Sequence, residues 1–227
     1  MIPSTTSTPG PVALHVPDRA HIRRVDESDP LPYYYLPGTA WLFRQRLRLA
    51  LELLNGGGPY ESVLEAGYGS GILLPTLRRL AGRVHAMDLH QNTGVVQSML
   101  HAEGVDATLS VGDVRSLAYA SGQFDAVVCI STLEHLHGPD LDSAVREMRR
   151  VLRPGGVAVL GVPASGWVMD ALFQVIGFSE IGEHHVSTHH DIADAISTHF
   201  TLEAERHLPG MASRRTALYT VYRGRAR

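Results

Sequence analysis

Cysteine is almost absent from this chain. Among 227 residues only Cys129 occurs, so no internal disulfide can form. The fold must be held by an apolar core, and a chain of this length can build one. A single cysteine also agrees with a reducing compartment, and a cytoplasmic location is the expectation. Cys129 stands in an apolar run, where a buried strand thiol is the plain reading and a reactive nucleophile the sharper one. Long hydrophobic runs are missing too. No stretch approaches the length of a membrane span, and the first residues lack the charged-then-apolar pattern of a secretory signal. Nor is one sign of charge in excess: 20 Lys and Arg against 23 Asp and Glu give a net charge of −3. That balance leaves no electrostatic footprint for nucleic acid or an anionic membrane.

What is present is ordinary for a globular protein, with 44% hydrophobic and 19% charged residues. Residues 1–35 are rich in Pro, Ser and Thr without sustained periodicity and are expected to form a flexible or loosely draped arm. Residues 36–227 then read as one domain. A first helix spans Leu36 to Asn55. Trp41, Leu42, Leu47, Leu49, Ala50, Leu53 and Leu54 fall mostly on one face, Arg44, Arg46 and Arg48 elsewhere, and Gly56-Gly57-Gly58-Pro59 stops it.

Short apolar strands then alternate with helical segments. Strands are expected at Ser62–Glu65, Arg83–Met87, Ala107–Val111, Phe124–Ser131 and Val157–Val162, the last entered by a sharp turn at Arg153-Pro154-Gly155-Gly156. Helices are expected after the first strand through Leu80, over Thr93–His101 and over Asp140–Leu152. Segment 163–190 is less regular. A helix at Asp191–Thr198 and strands at Thr201–His207 and Ala217–Arg223 complete the pattern. This alternation predicts an α/β fold, a doubly wound, mostly parallel seven-stranded sheet with an amino-terminal helical extension. Ligands of such sheets sit beyond the carboxyl ends of the strands.

The first strand runs into Glu65-Ala66-Gly67-Tyr68-Gly69-Ser70-Gly71, an acid followed by glycines at alternate positions. Side chains there would keep a ligand from the backbone. A dinucleotide fingerprint places its third glycine three positions after the second, where this chain has Ile72, so a nicotinamide oxidoreductase is disfavoured. Asp88 ends the second strand, where a carboxylate can accept hydrogen bonds from both hydroxyls of a ribose. Asp113 follows the third strand, where a carboxylate can accept from an exocyclic amine while the Val114 amide meets a ring nitrogen. An isolated Asp would read as a turn or cap; acids at three strand ends in register with a glycine loop read as a ligand site.

In order, V-L-E-A-G-Y-G-S-G, H-A-M-D-L, V-G-D-V, F-D-A-V-V-C-I-S-T-L-E-H-L and V-R-E-M-R-R-V-L-R-P-G-G-V-A-V-L-G-V-P cover Ser62 to Val162. Together they resemble the type 11, UbiE-like branch of the class I S-adenosylmethionine-dependent methyltransferases. The resemblance implies that Glu65, Ala66, Gly67, Tyr68, Gly69, Gly71, Asp88, Leu89, Asp113, Val114 and Ile130 bind S-adenosylmethionine. It implies that segment 163–190 shapes the acceptor pocket. A small-molecule acceptor is expected, and the charge balance makes neither nucleic acid nor membrane an expected partner. Tyr68 departs from the small or sulfur-bearing residue usual in the family, and Ala86 replaces a frequent glycine.

Methyl transfer from a sulfonium asks mainly for in-line alignment, with a general base only where the acceptor must lose a proton. His135, in the loop after the fourth strand, is the candidate acceptor contact or base, with loop ordering against Glu134 as the plainer alternative. A hydroxyl acceptor is favoured over nitrogen or carbon, and a secondary metabolite is a reasonable acceptor. His184, His185 and His189 read as substrate-facing or surface residues rather than metal ligands, because Ser187-Thr188 looks like a helix cap and a fixed third ligand is missing. Tyr33-Tyr34-Tyr35 and Trp41 form an aromatic patch in which Trp41 reads as packing and a tyrosine can close over substrate. Arg214, Arg215, Arg223, Arg225 and Arg227 read as solvated charges. The competing class is a binding module that keeps the fold without turnover.

Overall fold

A computed structural model describes residues 11–27, 29–163, 187, 189–214 and 216–227. Its centre is a sheet of seven strands: β1 (Tyr60–Ala66), β2 (Ala81–Asp88), β3 (Thr108–Val111), β4 (Phe124–Ile130), β5 (Leu152–Pro163), β6 (Phe200–Leu208) and β7 (Tyr219–Ala226). Their order is β3-β2-β1-β4-β5-β7-β6. The first five run parallel and β7 pairs antiparallel with both β5 and β6. The helices are α1 (Ala40–Asn55), α2 (Leu74–Leu80), α3 (Thr93–Ala102), α4 (Gly138–Val151) and α5 (His189–His199). The seven-stranded α/β architecture and the amino-terminal helix are as the sequence implies.

The period-two alternation of side chains along a strand explains why the sheet is covered on both faces. Val63, Val84, Val128 and Val159 enter the core beneath α1, α2 and α3. Their neighbours Leu64, Val127, Cys129 and Leu160 enter the opposite core beneath α4 and α5. Cys129 is therefore a buried strand thiol. In α4, Leu141, Ala144, Val145, Met148 and Val151 fall at helical spacing on the buried face, and Pro139 in the first turn supplies a preset φ. Each large aliphatic side chain so buried contributes about 1.5–3 kcal/mol.

Four expectations change. The arm is packed over its described part: Ile22, Val25 and Leu31 are buried in the α1 side of the core. Periodicity gave no sign of this, because Ile22 and Val25 lie outside any helix or strand and Leu31 opens a single 3-10 turn, Leu31–Tyr34, too short to show a period. Trp41 is 61% exposed, and Phe43 and Leu47 make the packing instead. Arg223 is buried, with its Nε donating to Glu203 at 2.9 Å and its guanidinium to the Leu53 carbonyl. The C-terminal end of α1 leaves that carbonyl open, and β7 carries Arg223 to it. Finally, Arg153–Gly156 is a bulged opening of β5 rather than a turn before it. Phe124 pairs with Leu152 and Ala126 with Val157, so β5 spends extra residues against β4. Most of segment 163–190, expected to shape the acceptor pocket, lies outside the described residues.

Candidate active site

The sheet order reverses between β1 and β4, which leave in opposite directions across the sheet and open a crevice at their carboxyl ends. The glycine loop leaves β1 at that crevice. Gly67 has φ +81°, and a Cβ on it would lie 2.1 Å from the Thr132 hydroxyl, so no other residue fits between β1 and the end of β4. Gly69 has φ +51° and nothing within 4 Å of a built Cβ, an open face toward the crevice. The Gly69 amide donates to Asp88 Oδ2 at 2.8 Å, and the His90 amide donates to Oδ1 at 3.3 Å. His90 Nε2 also lies 2.9 Å from the Gly69 carbonyl. Asp88 is thus oriented by the loop it faces, with acceptor capacity left over for hydroxyl groups.

Glu65 is buried at the end of β1, and its Oε2 has no hydrogen-bond partner. Burial pushes its carboxyl well above the usual range, and nearby Asp88 adds to the effect. The Tyr68 hydroxyl is likewise buried without a partner, and its ring meets His90 edge-on at 4.9 Å. Orphaned buried polar atoms beside an open glycine face are what a polar ligand would satisfy. These residues fit S-adenosylmethionine.

Of the other residues implied as cofactor contacts, Ala66 and Val114 are buried, Gly71 turns the loop into α2, Leu89 is 67% exposed beyond β2, and Ile130 ends β4. Asp113 stands beside β3's end but is already engaged. Arg115 Nε and Nη2 donate to its carboxylate at 2.9 and 2.6 Å, and Arg115 Nη1 reaches Asp140 at 2.8 Å. The Arg115 hydrogen bonds hold the Asp113 carboxyl below its usual range. His135 lies in a 3-10 turn, Leu133–His135, with its side chain exposed, while Glu134 is buried. His184 and His185 lie outside the described residues; His189 is buried in the first turn of α5. Ser187 donates its hydroxyl to the Leu136 carbonyl.

The residue that sequence reasoning missed is Arg46. It leaves α1 toward the carboxyl end of β4, where Nη2 donates to the Tyr34 hydroxyl at 3.0 Å and Nη1 to Ser131 Oγ at 3.4 Å. Its guanidinium lies 4.2, 5.3 and 5.6 Å from the ring centroids of Phe43, Tyr219 and Tyr34. Its Nε is shut off from solvent without a partner, and no carboxylate among the described residues pairs with it. Ser131 has φ +56°, a strained conformation for a residue with a side chain, and its hydroxyl is 2.8 Å from that of Tyr219. One signal was available: Arg46 lies one turn after Leu42 and Phe43, on the apolar side of α1.

The arm closes the cluster. Asp29 accepts hydrogen bonds from the Val25 and Leu31 amides at 3.2 and 2.9 Å and from the Ser70 hydroxyl of the glycine loop at 3.5 Å. Asn92 donates to the Val25 carbonyl at 2.6 Å. Glu103, after α3, takes His15 at 2.7 Å, His21 at 2.6 Å and the Asp18 amide at 2.9 Å.

Residues 64–160 match the methyltransferase domain family. A ubiquinone biosynthesis O-methyltransferase of Xanthomonas axonopodis is 38% identical over 97 residues, 41% of this chain and 39% of that protein. An uncharacterised 37.1 kDa protein in a Streptomyces fradiae transposon is 37% identical over 147 residues, 62% of this chain and 41% of that protein. The chain therefore spans about two-fifths of the length of these relatives. Among solved structures, the N-methyltransferase NodS of Bradyrhizobium japonicum, in complex with S-adenosylhomocysteine, superposes with a TM-score of 0.66 at 20% identity over 90% of this chain and 95% of that one. That likeness establishes the fold, a seven-stranded α/β sheet shared with that methyltransferase. The family match covers residues 64–160, the stretch that holds the glycine loop, Asp88 and Asp113.

Proposed function

We propose that this protein transfers a methyl group from S-adenosylmethionine to a small-molecule acceptor, with oxygen favoured over nitrogen or carbon. The observation that carries the reading is the hydrogen bond from the Gly69 amide to Asp88, which places an oriented carboxylate over an open glycine loop at the β1–β4 crevice. S-adenosylmethionine supplies an electrophilic methyl on a sulfonium. Asp88 holds the ribose hydroxyls. Arg46, enclosed and without a carboxylate partner among the described residues, takes the methionine carboxylate, because a desolvated guanidinium demands an anion. Glu65 receives the methionine amino group directly or through water.

The acceptor approaches from the β4 end, and its nucleophilic atom forms the bond to carbon as the carbon–sulfur bond breaks. A hydroxyl acceptor gives its proton to His135 at the rim or to solvent. The relatives named as O-methyltransferases support an oxygen acceptor, and a secondary metabolite suits a site built for one small molecule. Turnover with a panel of phenols, alcohols, carboxylates and amines, followed by release of S-adenosylhomocysteine, tests the assignment. S-adenosylhomocysteine binding without turnover on any class would favour a binding module.

A further inference from the structure

Glu134 is the titratable group in this cluster that the reaction leaves unused. It sits in the 3-10 turn after β4, 3% exposed, and its Oε2 has no hydrogen-bond partner. Charged and titratable groups around it among the described residues include Arg46 from α1, Tyr219 from β7, Cys129 from β4, the adjacent His135 and, on α5, which packs on this turn, His189. Arg46 is the permanent cation among them. It makes no ion pair with Glu134, its Nε is unused, and Phe43, Tyr219 and Tyr34 enclose it. A fixed carboxylate beside a partly buried guanidinium neutralises it, and a site meant to receive an anion cannot keep that charge neutralised.

We propose that Glu134 is a positioning residue which, as the uncharged acid, leaves Arg46 free for the carboxylate of the cofactor, and which withdraws Arg46 when it ionises. The proposal rests on the cofactor reading above. Burial raises the Glu134 carboxyl to about 8, with its own backbone amide and Arg46 acting in the opposite direction. Near neutrality the acid form prevails and Arg46 keeps its charge. As pH rises through that range, Glu134 becomes an internal anion competing with the ligand. By linkage, binding a ligand carboxylate must then draw a proton onto Glu134.

Calorimetry from pH 6.5 to 9.5 tests this with two ligands, S-adenosylhomocysteine and its decarboxylated counterpart, which keeps the amine and the adenosine. Repeating titrations in buffers of different ionisation enthalpy measures proton uptake. The expected result is an affinity for S-adenosylhomocysteine that falls above about pH 8, approaching tenfold per pH unit for a one-proton linkage. Fractional proton uptake should accompany it, and the decarboxylated ligand should show neither. Glu134→Gln, which fixes the neutral form, should abolish the fall and the uptake while keeping the affinity measured at pH 6.5. An equal fall with both ligands, or a fall that persists in Glu134→Gln, would overturn the proposal. Should that variant fail to fold, the two-ligand comparison on the unaltered protein decides alone. Failure of both ligands to bind would instead remove the methyltransferase reading, and this proposal with it.

Discussion

The amide of Gly69 donates a 2.8 Å hydrogen bond to the carboxylate of Asp88, joining the loop after β1 to the end of β2. One residue thereby serves two purposes. Asp88 fixes the course of the loop and presents acceptor oxygens to whatever the loop cradles.

Replacing Asp88 therefore has two consequences. Asp88→Ala should weaken S-adenosylhomocysteine binding by more than tenfold, since a hydrogen bond to a charged group is worth about 1.5–3 kcal/mol. Asp88→Asn keeps an oxygen for one bond and should fall between. Calorimetric titration of both, with circular dichroism to confirm the fold, checks the order. Wild-type affinity in Asp88→Ala would remove the residue from the site.

Gly67→Ala puts a methyl group 2.1 Å from the Thr132 hydroxyl at φ +81°. The left-handed backbone costs about 1–2 kcal/mol with a side chain, and overpacking about 1–3 kcal/mol more. Adding Thr132→Ala should recover the second contribution and leave the first. Denaturant melts of the single and double variants measure both. A Gly67→Ala protein as stable as the wild type would contradict the close approach of β1 to β4.

The three contacts to Glu103 make a pH-dependent fastening for the arm. Burial works to raise this carboxyl, but the hydrogen bonds from His15, His21 and the Asp18 amide outweigh it and hold it at about 2, against an ordinary 4.5. A depressed carboxyl stabilises the folded state in full above its ordinary value and loses that contribution as pH falls through the folded one. The arm should therefore loosen between about pH 4.5 and 2. At neutral pH, Glu103→Gln should speed tryptic cleavage at Arg19, Arg23 and Arg24. Unchanged cleavage would mean the apolar contacts of Ile22 and Val25 hold the arm by themselves.

His135 is exposed where Glu134 is buried, so His135→Ala should leave S-adenosylhomocysteine affinity within about twofold of wild type, as surface substitutions usually stay within ±0.5 kcal/mol. With a hydroxyl acceptor in hand, turnover should drop. Full turnover in that variant would assign the proton to solvent.

The parts of this molecule legible in its sequence are those set by local pattern. Runs such as Phe124–Ile130 name their own strands, and the glycines with Asp88 carry their spacing openly. What escaped the reading is made by contacts distant along the chain. Arg46 reaches Ser131 across 85 positions, and Ser131 reaches Tyr219 across 88. Neither partner announces the other. An arginine on a helix reads as solvated until the fold shows three aromatic rings around it. Asp29 and Glu103 hide the packing of the arm for the same reason, since each gathers three hydrogen bonds whose donors follow no sequence period. Arg223 reads as a terminal surface charge because nothing local reveals the Leu53 carbonyl it serves.

Calorimetric titration of the protein with S-adenosylhomocysteine, with NADH as the comparison ligand, tests most directly whether the β1–β4 crevice binds S-adenosylmethionine. Micromolar binding of the first and none of the second is the predicted result. Binding of NADH, or of neither ligand, would contradict it.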